Sequence, residues 1–541
     1  MAVDSDPWDV WRTNSLHDWR KRGLLVRVGD GGVSLARAPE PSPTALSPPL
    51  LPSYPFFLPS GRTVQRTQRC LIPTDHSTRA LISQHDLCTW VADLEATGSS
   101  SSSPRPSHPS LLTRTHHAGH QELVLFSLND YLGLSAHADV RSAVASSSMG
   151  IGMGPRSSAI VAGYTCTHRD LELGLASLKE TEDCLLFPTG FAANMAVISA
   201  LMGGSSSTTR HGSLVSTSAS TRTATGTTIH PHHNPSPASL PPVVLSDELN
   251  HASIIDGARL GARSHANNHA NTSTSALTSN DHHALRGKHV LTYRHRDLDH
   301  LESLLAQVTA TGRRALVVTD SLFSMDGDVA DLRGLAKLKQ RYPFLLVVDE
   351  AHATLVYGDR GGGVAEDQGV QGSVDVHVGT LSKAFGGMGG FVACGRGMKT
   401  WLQNAGRAYM FSTGLPVPVA AGALAALGVS QREPEHRERL WRHVGVVAEG
   451  LGLGGKENSH RPSPILPVVV GDAGEAARQS ACLLREGWHV PAIRPPTVPN
   501  GTSRLRISLS AAHSDDDVAG LVRAVRAVGA GGGEGGVRAK L

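Results

Sequence analysis

The chain is poor in the features that mark exported, membrane-bound or polyanion-binding proteins. Its 541 residues include only six cysteines (Cys70, Cys88, Cys166, Cys184, Cys394 and Cys482), scattered and without a C-x-x-C pair. That usage excludes a disulfide framework and reads as the reduced thiols of an intracellular protein. No apolar run reaches the length needed to cross a bilayer. The acidic segment Met1–Asp9 lacks an apolar h-region, so neither a secretory signal nor an Arg-rich transit peptide is expected. Net charge is only +3, without long blocks of one sign, which argues against nucleic acid as a partner. No internal repeat is visible. A soluble chain of this length favours two or more domains.

What is present falls into α/β segments separated by biased inserts. Residues 97–120 are rich in Ser, Pro and His, residues 203–240 in Ser, Thr, Gly and His, and residues 262–286 in Asn, Ser, Thr and His. Such segments have too little apolar surface to offset the entropy of ordering and read as surface insertions or linkers. Their histidines (His230, His232, His233, His265, His269, His282 and His283) lack a regular ligand spacing, so no metal site is assigned. Leu171, Leu175 and Leu178 predict a helix over 167–180 with Thr167 as its N-cap. Unalternating apolar runs predict buried strands at Cys184–Phe187, Val243–Leu245, Ala315–Thr319, Phe344–Val348, Val374–Val378 and Gly390–Ala393. Helical patterns at Leu298–Val308 and Leu332–Leu338 lie between them. Together they predict a mostly parallel sheet covered by helices on both faces. A helix over Pro416–Val429 precedes a smaller α/β unit with strands near Pro467–Val470 and Leu505–Leu509. The expected division is an N-terminal segment 1–125, a large domain 126–415, a small domain 416–530 and a flexible tail 531–541.

The chemistry gathers where strands end. Phe344–Val348 delivers Asp349 and His352, and after the next strand comes Thr380-Leu381-Ser382-Lys383-Ala384-Phe385-Gly386. A lysine in a small-residue loop is by itself an ordinary solvated lysine. Behind a buried acid it suits pyridoxal 5'-phosphate (PLP), because an amine can form a Schiff base with the cofactor aldehyde. The acid can hold the pyridine nitrogen protonated so that the ring draws electrons. Ligands of open α/β sheets collect beyond the carboxyl ends of strands. Gly190 and Phe191 open a helix whose amides can hold a phosphate. His251 can stack on a planar ring, Ser324 and Thr380 can offer hydroxyls to the cofactor, and His352 can bond the ring phenolate. Arg407–Gly414 is a possible second phosphate contact, and Arg494, Arg504 and Arg506 suit a carboxylate.

In series, these sequences resemble the α-oxoamine synthases, a branch of the fold-type I PLP enzymes. The resemblance runs from Ser127–Leu134 through Ala162-Gly163-Tyr164, Gly190–Asn194, Asn250–Ser253, Phe323–Asp328, Asp349–His352 and Thr380–Gly386 to Ala511-Ala512-His513. It departs from the family pattern at Ala353, where glycine is usual, at Asp320, where glutamate is common, and at Gly414, where Ser or Thr is usual. The family's N-terminal acyl-binding arginine is not assigned a position within residues 1–120. The resemblance implies a decarboxylating condensation of an amino acid with an acyl-CoA thioester, first L-alanine with pimeloyl-CoA. Glycine with a short acyl-CoA, or a catalytically silent subunit, are the alternatives. It implies catalytic roles for Lys383, Asp349 and His251, with Asn129, Arg506 and Thr497 at the substrate. It also implies a homodimer in which Ser412 and Thr413 reach the phosphate of the other subunit. Finally, Ala539-Lys540-Leu541 resembles the Ser-Lys-Leu peroxisomal address, behind a Gly-rich tether beginning at Gly529. A peroxisomal protein bound by an import receptor is expected, with the cytosol as the alternative.

Overall fold

A computed structural model describes residues 71–96, 116–117, 120–203, 241–269, 289–453 and 463–530. Most of the three inserts, and Ala539-Lys540-Leu541, lie outside these residues. Packing divides the chain into two units. The first holds the described parts of 137–324 and 328–437, and the second those of 71–136, 325–327 and 438–530.

The first unit is built on a seven-stranded sheet. Its spatial order is Asp183–Phe187, Gly390–Cys394, Val376–Thr380, Phe344–Asp349, Ala315–Asp320, Val243–Asp247 and Val290–Tyr293. Gly390–Cys394 runs antiparallel to both neighbours, and the other pairings are parallel. All strands except the edge strand Val290–Tyr293 are buried along their whole length. Helices on the sheet supply the cover, so strand residues need no polar alternation. The Gly190–Met202 helix packs on the sheet through Ala193, Val197 and Leu201 among Leu185, Phe187, Val318 and Val378. Val197 and Leu201, both fully buried, are each worth roughly 1.5–3 kcal/mol against exposure. Gly379 permits a close approach within the sheet: a Cβ there would stand 2.3 Å from the ring of Phe391, its register partner.

Several expectations shift. The helix Cys166–Lys179 is capped by Thr165, not Thr167. His168 supplies the capping-box partner, its Nδ1 lying 3.2 Å from Thr165 N and 2.8 Å from Thr165 Oγ1. The strand expected from Val374 begins at Val376, because Val374 ends a tight turn and the Asp375 carboxylate accepts from Leu346 N at 2.7 Å. The helix Val417–Arg432, expected to open the small domain, instead packs against Ala138–Ile151 and Cys166–Lys179 of the first unit. Gly422 faces Val144 there, and Gly174 faces Leu427. Residues 262–269, expected to lie in an insert, complete the helix Ala252–His269.

In the second unit, Arg79–Ser83 pairs antiparallel with His120–Leu125, which pairs parallel with Trp488–His489. The helices Gln84–Ala96 and Ala473–Arg485 pack over them through Leu87, Val91, Ala481 and Leu484. Residues 71–96 and 120–125, within the N-terminal segment expected over 1–125, therefore form part of this unit's packed structure. Ser503–Ser508 lies between Ile465–Gly471 and Ala492–Ile493, antiparallel to both. The helix Asp515–Ala530 takes in Gly529 and Ala530, which were expected to begin the tether.

Candidate active site

Within the first unit a cavity of about 230 Å³ opens beyond the carboxyl ends of the central strands. Four consecutive neighbours of the sheet reach it. Thr380 ends one strand, Asp349 the next and Asp320 the third, and His251 follows the strand that ends at Asp247. Lys383 lines the wall just after Thr380, in a turn closed by Gly386 N donating to Lys383 O at 2.8 Å. The helix N-terminus at Gly190 and Phe191 lines it too, with Thr189 capping by accepting from Ala192 N at 3.0 Å. A Cβ on Gly190 would come within 3.1 Å of Thr380 Cβ, so glycine is what lets that helix end approach the strand end.

Asp349 is buried, with a fixed set of donors. Its Oδ2 accepts from Asn194 Nδ2 at 2.6 Å and its Oδ1 from Ala351 N at 2.8 Å. Asn194 Nδ2 also donates to Ser253 Oγ at 2.9 Å, and Ser253 Oγ lies 2.7 Å from His251 Nδ1. The chain Asp349–Asn194–Ser253–His251 thus couples the acid to the imidazole. Asn194 Oδ1 is buried without a hydrogen-bond partner beside the cavity. Desolvation lowers the pKa of His251, and Lys383 acts in the same direction against the pull of Asp349. The imidazole is therefore neutral at physiological pH. The His251 backbone N–H donates to Asp320 Oδ2 at 2.9 Å, and Phe191 stands edge-on to the His251 ring at 6.4 Å.

These groups suit the cofactor expected from the sequence. A buried carboxylate requires a cation, which a protonated pyridine supplies. The helix N-terminus, with the Thr189, Thr380 and Ser382 hydroxyls beside it, makes a polar end suited to a phosphate, Thr380 Oγ1 donating to Gly389 O at 2.9 Å. Thr380 Oγ1 and Ser382 Oγ stand 2.8 Å apart.

Of the residues singled out in the sequence, Lys383, Asp349, His251, His352, Ser324, Thr380, Gly190 and Phe191 line this one cavity. Ser412 and Thr413 follow the short helix Arg407–Phe411 and do not line it. Asn129, Thr497 and Arg506 belong to the second unit. There the Tyr131 hydroxyl donates to Asn129 Oδ1 at 3.4 Å and also interacts with Arg506, whose Nη1 donates to Ser508 Oγ at 2.9 Å. Thr497 is exposed. Arg504 is engaged by Asp326 and by Met325 O. Asn194, Ser253, Asp320 and Ser382 line the cavity without having been singled out. A signal for Asn194 existed: it lies one turn past Gly190 on the same helix face.

The aminotransferase class I and II family model matches residues 243–525. The 8-amino-7-oxononanoate synthase of Arabidopsis thaliana is 45% identical over 405 residues, covering 75% of this chain and 74% of that protein. The enzyme of the same name from Anaeromyxobacter dehalogenans is 41% identical over 410 residues, covering 76% of this chain and 87% of that protein. A solved structure of SPT with a PLP internal aldimine is similar with a TM-score of 0.62 at 27% identity, covering 76% of this chain and 88% of that one.

Proposed function

The chain belongs to the aminotransferase class I and II family, in its α-oxoamine synthase branch, and from that premise we propose that it makes 8-amino-7-oxononanoate for biotin biosynthesis. It is a PLP-dependent acyltransferase of fold type I that condenses L-alanine with pimeloyl-CoA and releases CoA and carbon dioxide. The observation that carries this reading is the meeting of Lys383, Asp349 and His251 in one cavity.

Bound PLP supplies an electron-withdrawing ring that stabilises negative charge on the α-carbon of alanine. Lys383 Nζ would be the attachment point for the cofactor and, as a free amine, the base placed to take the α-proton and return one. Asp349, with its carboxylate oriented by Asn194 Nδ2 and Ala351 N, would hold the pyridine nitrogen protonated. His251, its ring fixed through Ser253 and its backbone through Asp320, would stack on the ring and orient the alanine carboxylate. His352 would bond the ring phenolate. The Gly190 and Phe191 amides, Ser324 and Thr380 would hold the remaining cofactor oxygens. The assignment of Asn129, Arg506 and Thr497 to the substrate rests on the family resemblance.

A homodimer, with Ser412 and Thr413 serving the phosphate of the other subunit, is part of the proposal, supported by the same resemblance. Peroxisomal import through Ala539-Lys540-Leu541 rests on the sequence alone. A fluorescent protein placed upstream of this tripeptide should be punctate in cells and become diffuse when Leu541 is deleted. The reaction is tested by CoA release from purified protein. Alanine with pimeloyl-CoA should exceed glycine with acetyl- or succinyl-CoA, and the reverse order would overturn the substrate assignment.

A further inference from the structure

His295 lies outside the cavity lining, two residues past the edge strand Val290–Tyr293, yet both of its ring nitrogens are engaged. Its Nδ1 lies 2.9 Å from Asp247 Oδ1 and its Nε2 2.8 Å from Asp328 Oδ2. Both ring nitrogens therefore face carboxylates, an arrangement that only the imidazolium satisfies with two donors. The other charged groups around it are Arg296, whose Nη1 also reaches Asp328 Oδ2 at 3.2 Å, and Glu248, which accepts from His295 N at 2.8 Å. Burial alone would lower its pKa, but the two carboxylates prevail and raise it to about 9.

Asp328 sits on the short hairpin that carries Ser324. Leu322 bridges Val329, and Phe323 N donates to Asp328 O at 3.0 Å. The buried Phe323 ring meets the His295 ring edge-on at 4.4 Å. The imidazole thus touches the residue before Ser324 and ion-pairs with the closing residue of the turn.

We propose that His295, clamped between Asp247 and Asp328, is a positioning residue that sets the Phe323–Asp328 turn and so presents the Ser324 hydroxyl to the cofactor. This rests on the reading above that Ser324 contacts PLP. It calls for no contact between His295 and cofactor or substrate. Because its pKa is raised on folding, the clamp is complete below the ordinary histidine range near 6.5 and is lost as pH rises through about 9.

The test is titration of the apoprotein with PLP, followed by absorbance from pH 7 to 10. His295→Gln should weaken binding at pH 7 by about tenfold, the scale of one lost hydrogen bond. Binding to the unsubstituted protein should weaken further above pH 9 than binding to the variant. Ser324→Ala should weaken PLP comparably, and the double variant should be no worse than the weaker single one. Should His295→Gln prove insoluble, Asp328→Asn neutralises one arm at constant shape and should show the same coupling to Ser324→Ala. Normal PLP affinity in the His295 or Asp328 variant, whatever its melting temperature, overturns the proposal. So do losses that multiply in the double variant. If Ser324→Ala alone binds normally, the contact assigned to Ser324 is wrong and the coupling falls with it. The reaction class would still stand on the CoA-release assay.

Discussion

Asp320 and Asp349 are register partners across two adjacent parallel strands, so two carboxylates end side by side on the floor of one cavity. Their surroundings divide the labour between them. Asp349 accepts from Asn194 Nδ2 and Ala351 N, whereas Asp320 accepts from the His251 backbone N–H. Burial pushes the Asp320 pKa well above the usual carboxylate range, and the charge of Asp349 adds to the rise. The two carboxylates thus differ in kind: burial and the neighbouring acid work against charge on Asp320, while Asp349 sits among donors and is the acid placed for the proposed contact to the pyridine nitrogen.

This division predicts unequal responses to the same substitution. Asp320→Asn keeps the size of the side chain and an acceptor for the His251 backbone N–H, so PLP affinity and kcat should stay within a few-fold of the parent. Asp349→Asn removes the charge-assisted contact, worth up to about 3 kcal/mol, and should lower kcat/KM by ~100-fold. Steady-state kinetics on both variants checks the contrast. Equal losses would show that the two acids do not divide the work in this way.

Lys383→Ala removes both the attachment point and the proposed base. General acid–base contributions of roughly 100- to 10,000-fold set the expected fall in kcat. Borohydride reduction of the holoprotein should fix the cofactor to Lys383, read by peptide mass, and the variant should retain none. Covalent retention at another lysine would move the catalytic centre.

How much of this was legible in the sequence depended on how far apart the partners lie along the chain. Phe344–Asp349 and Ala315–Asp320 read as strands because cover on both faces leaves no polar alternation to obscure them. Val290–Tyr293 is a half-buried edge strand beside biased sequence, and Arg79–Ser83 alternates only over a short run, so neither stood out. Lys383, Asp349, His251 and His352 announced themselves through strand-end motifs. The Asn194 bond to Asp349 spans 155 positions and carries no local signature. Asp320 was visible only as a departure from a family pattern, and its pairing with Asp349 needed the register.

Directly after Asp349, Glu350 makes a fully buried cluster with Lys179 and His377. Its Oε2 lies 2.7 Å from Lys179 Nζ and 3.0 Å from His377 Nδ1, all without side-chain exposure. Lys179 Nζ also donates to Thr354 Oγ1 at 2.9 Å and Gly362 O at 2.7 Å. Burial raises the Glu350 pKa, but the Lys179 charge and the His377 contact outweigh it and hold the group at about 2. Its ionic contribution is therefore present above the ordinary glutamate range and is lost as pH falls from there through about 2. Lys179→Met leaves the carboxylate buried and under-compensated, which costs about 3–5 kcal/mol. Urea unfolding at pH 7 should show that loss. The variant should also lose less stability than the parent between pH 5 and pH 3, because its Glu350 no longer has a depressed pKa to lose.

Two glycines separate the demands of the fold from those of the site. At Gly379 an added Cβ would lie 2.3 Å from Phe391 Cζ inside the sheet, where neither strand can yield. Gly379→Ala should therefore overpack the core and cost about 1–3 kcal/mol of stability. At Gly190 the nearest atoms are Thr380 Cβ at 3.1 Å and Thr380 Oγ1 at 3.3 Å, a contact that a shift of a few tenths of an ångström would relieve. Alanine is also the better helix former by roughly 1 kcal/mol, so Gly190→Ala should leave the apoprotein melting temperature nearly unchanged. The new methyl still crowds the Thr380 hydroxyl at the helix end proposed to hold the phosphate. PLP affinity should therefore fall while stability holds. Thermal unfolding and PLP titration of the two apoproteins decide the matter. Gly190→Ala with parental PLP affinity would remove this helix end from the cofactor site.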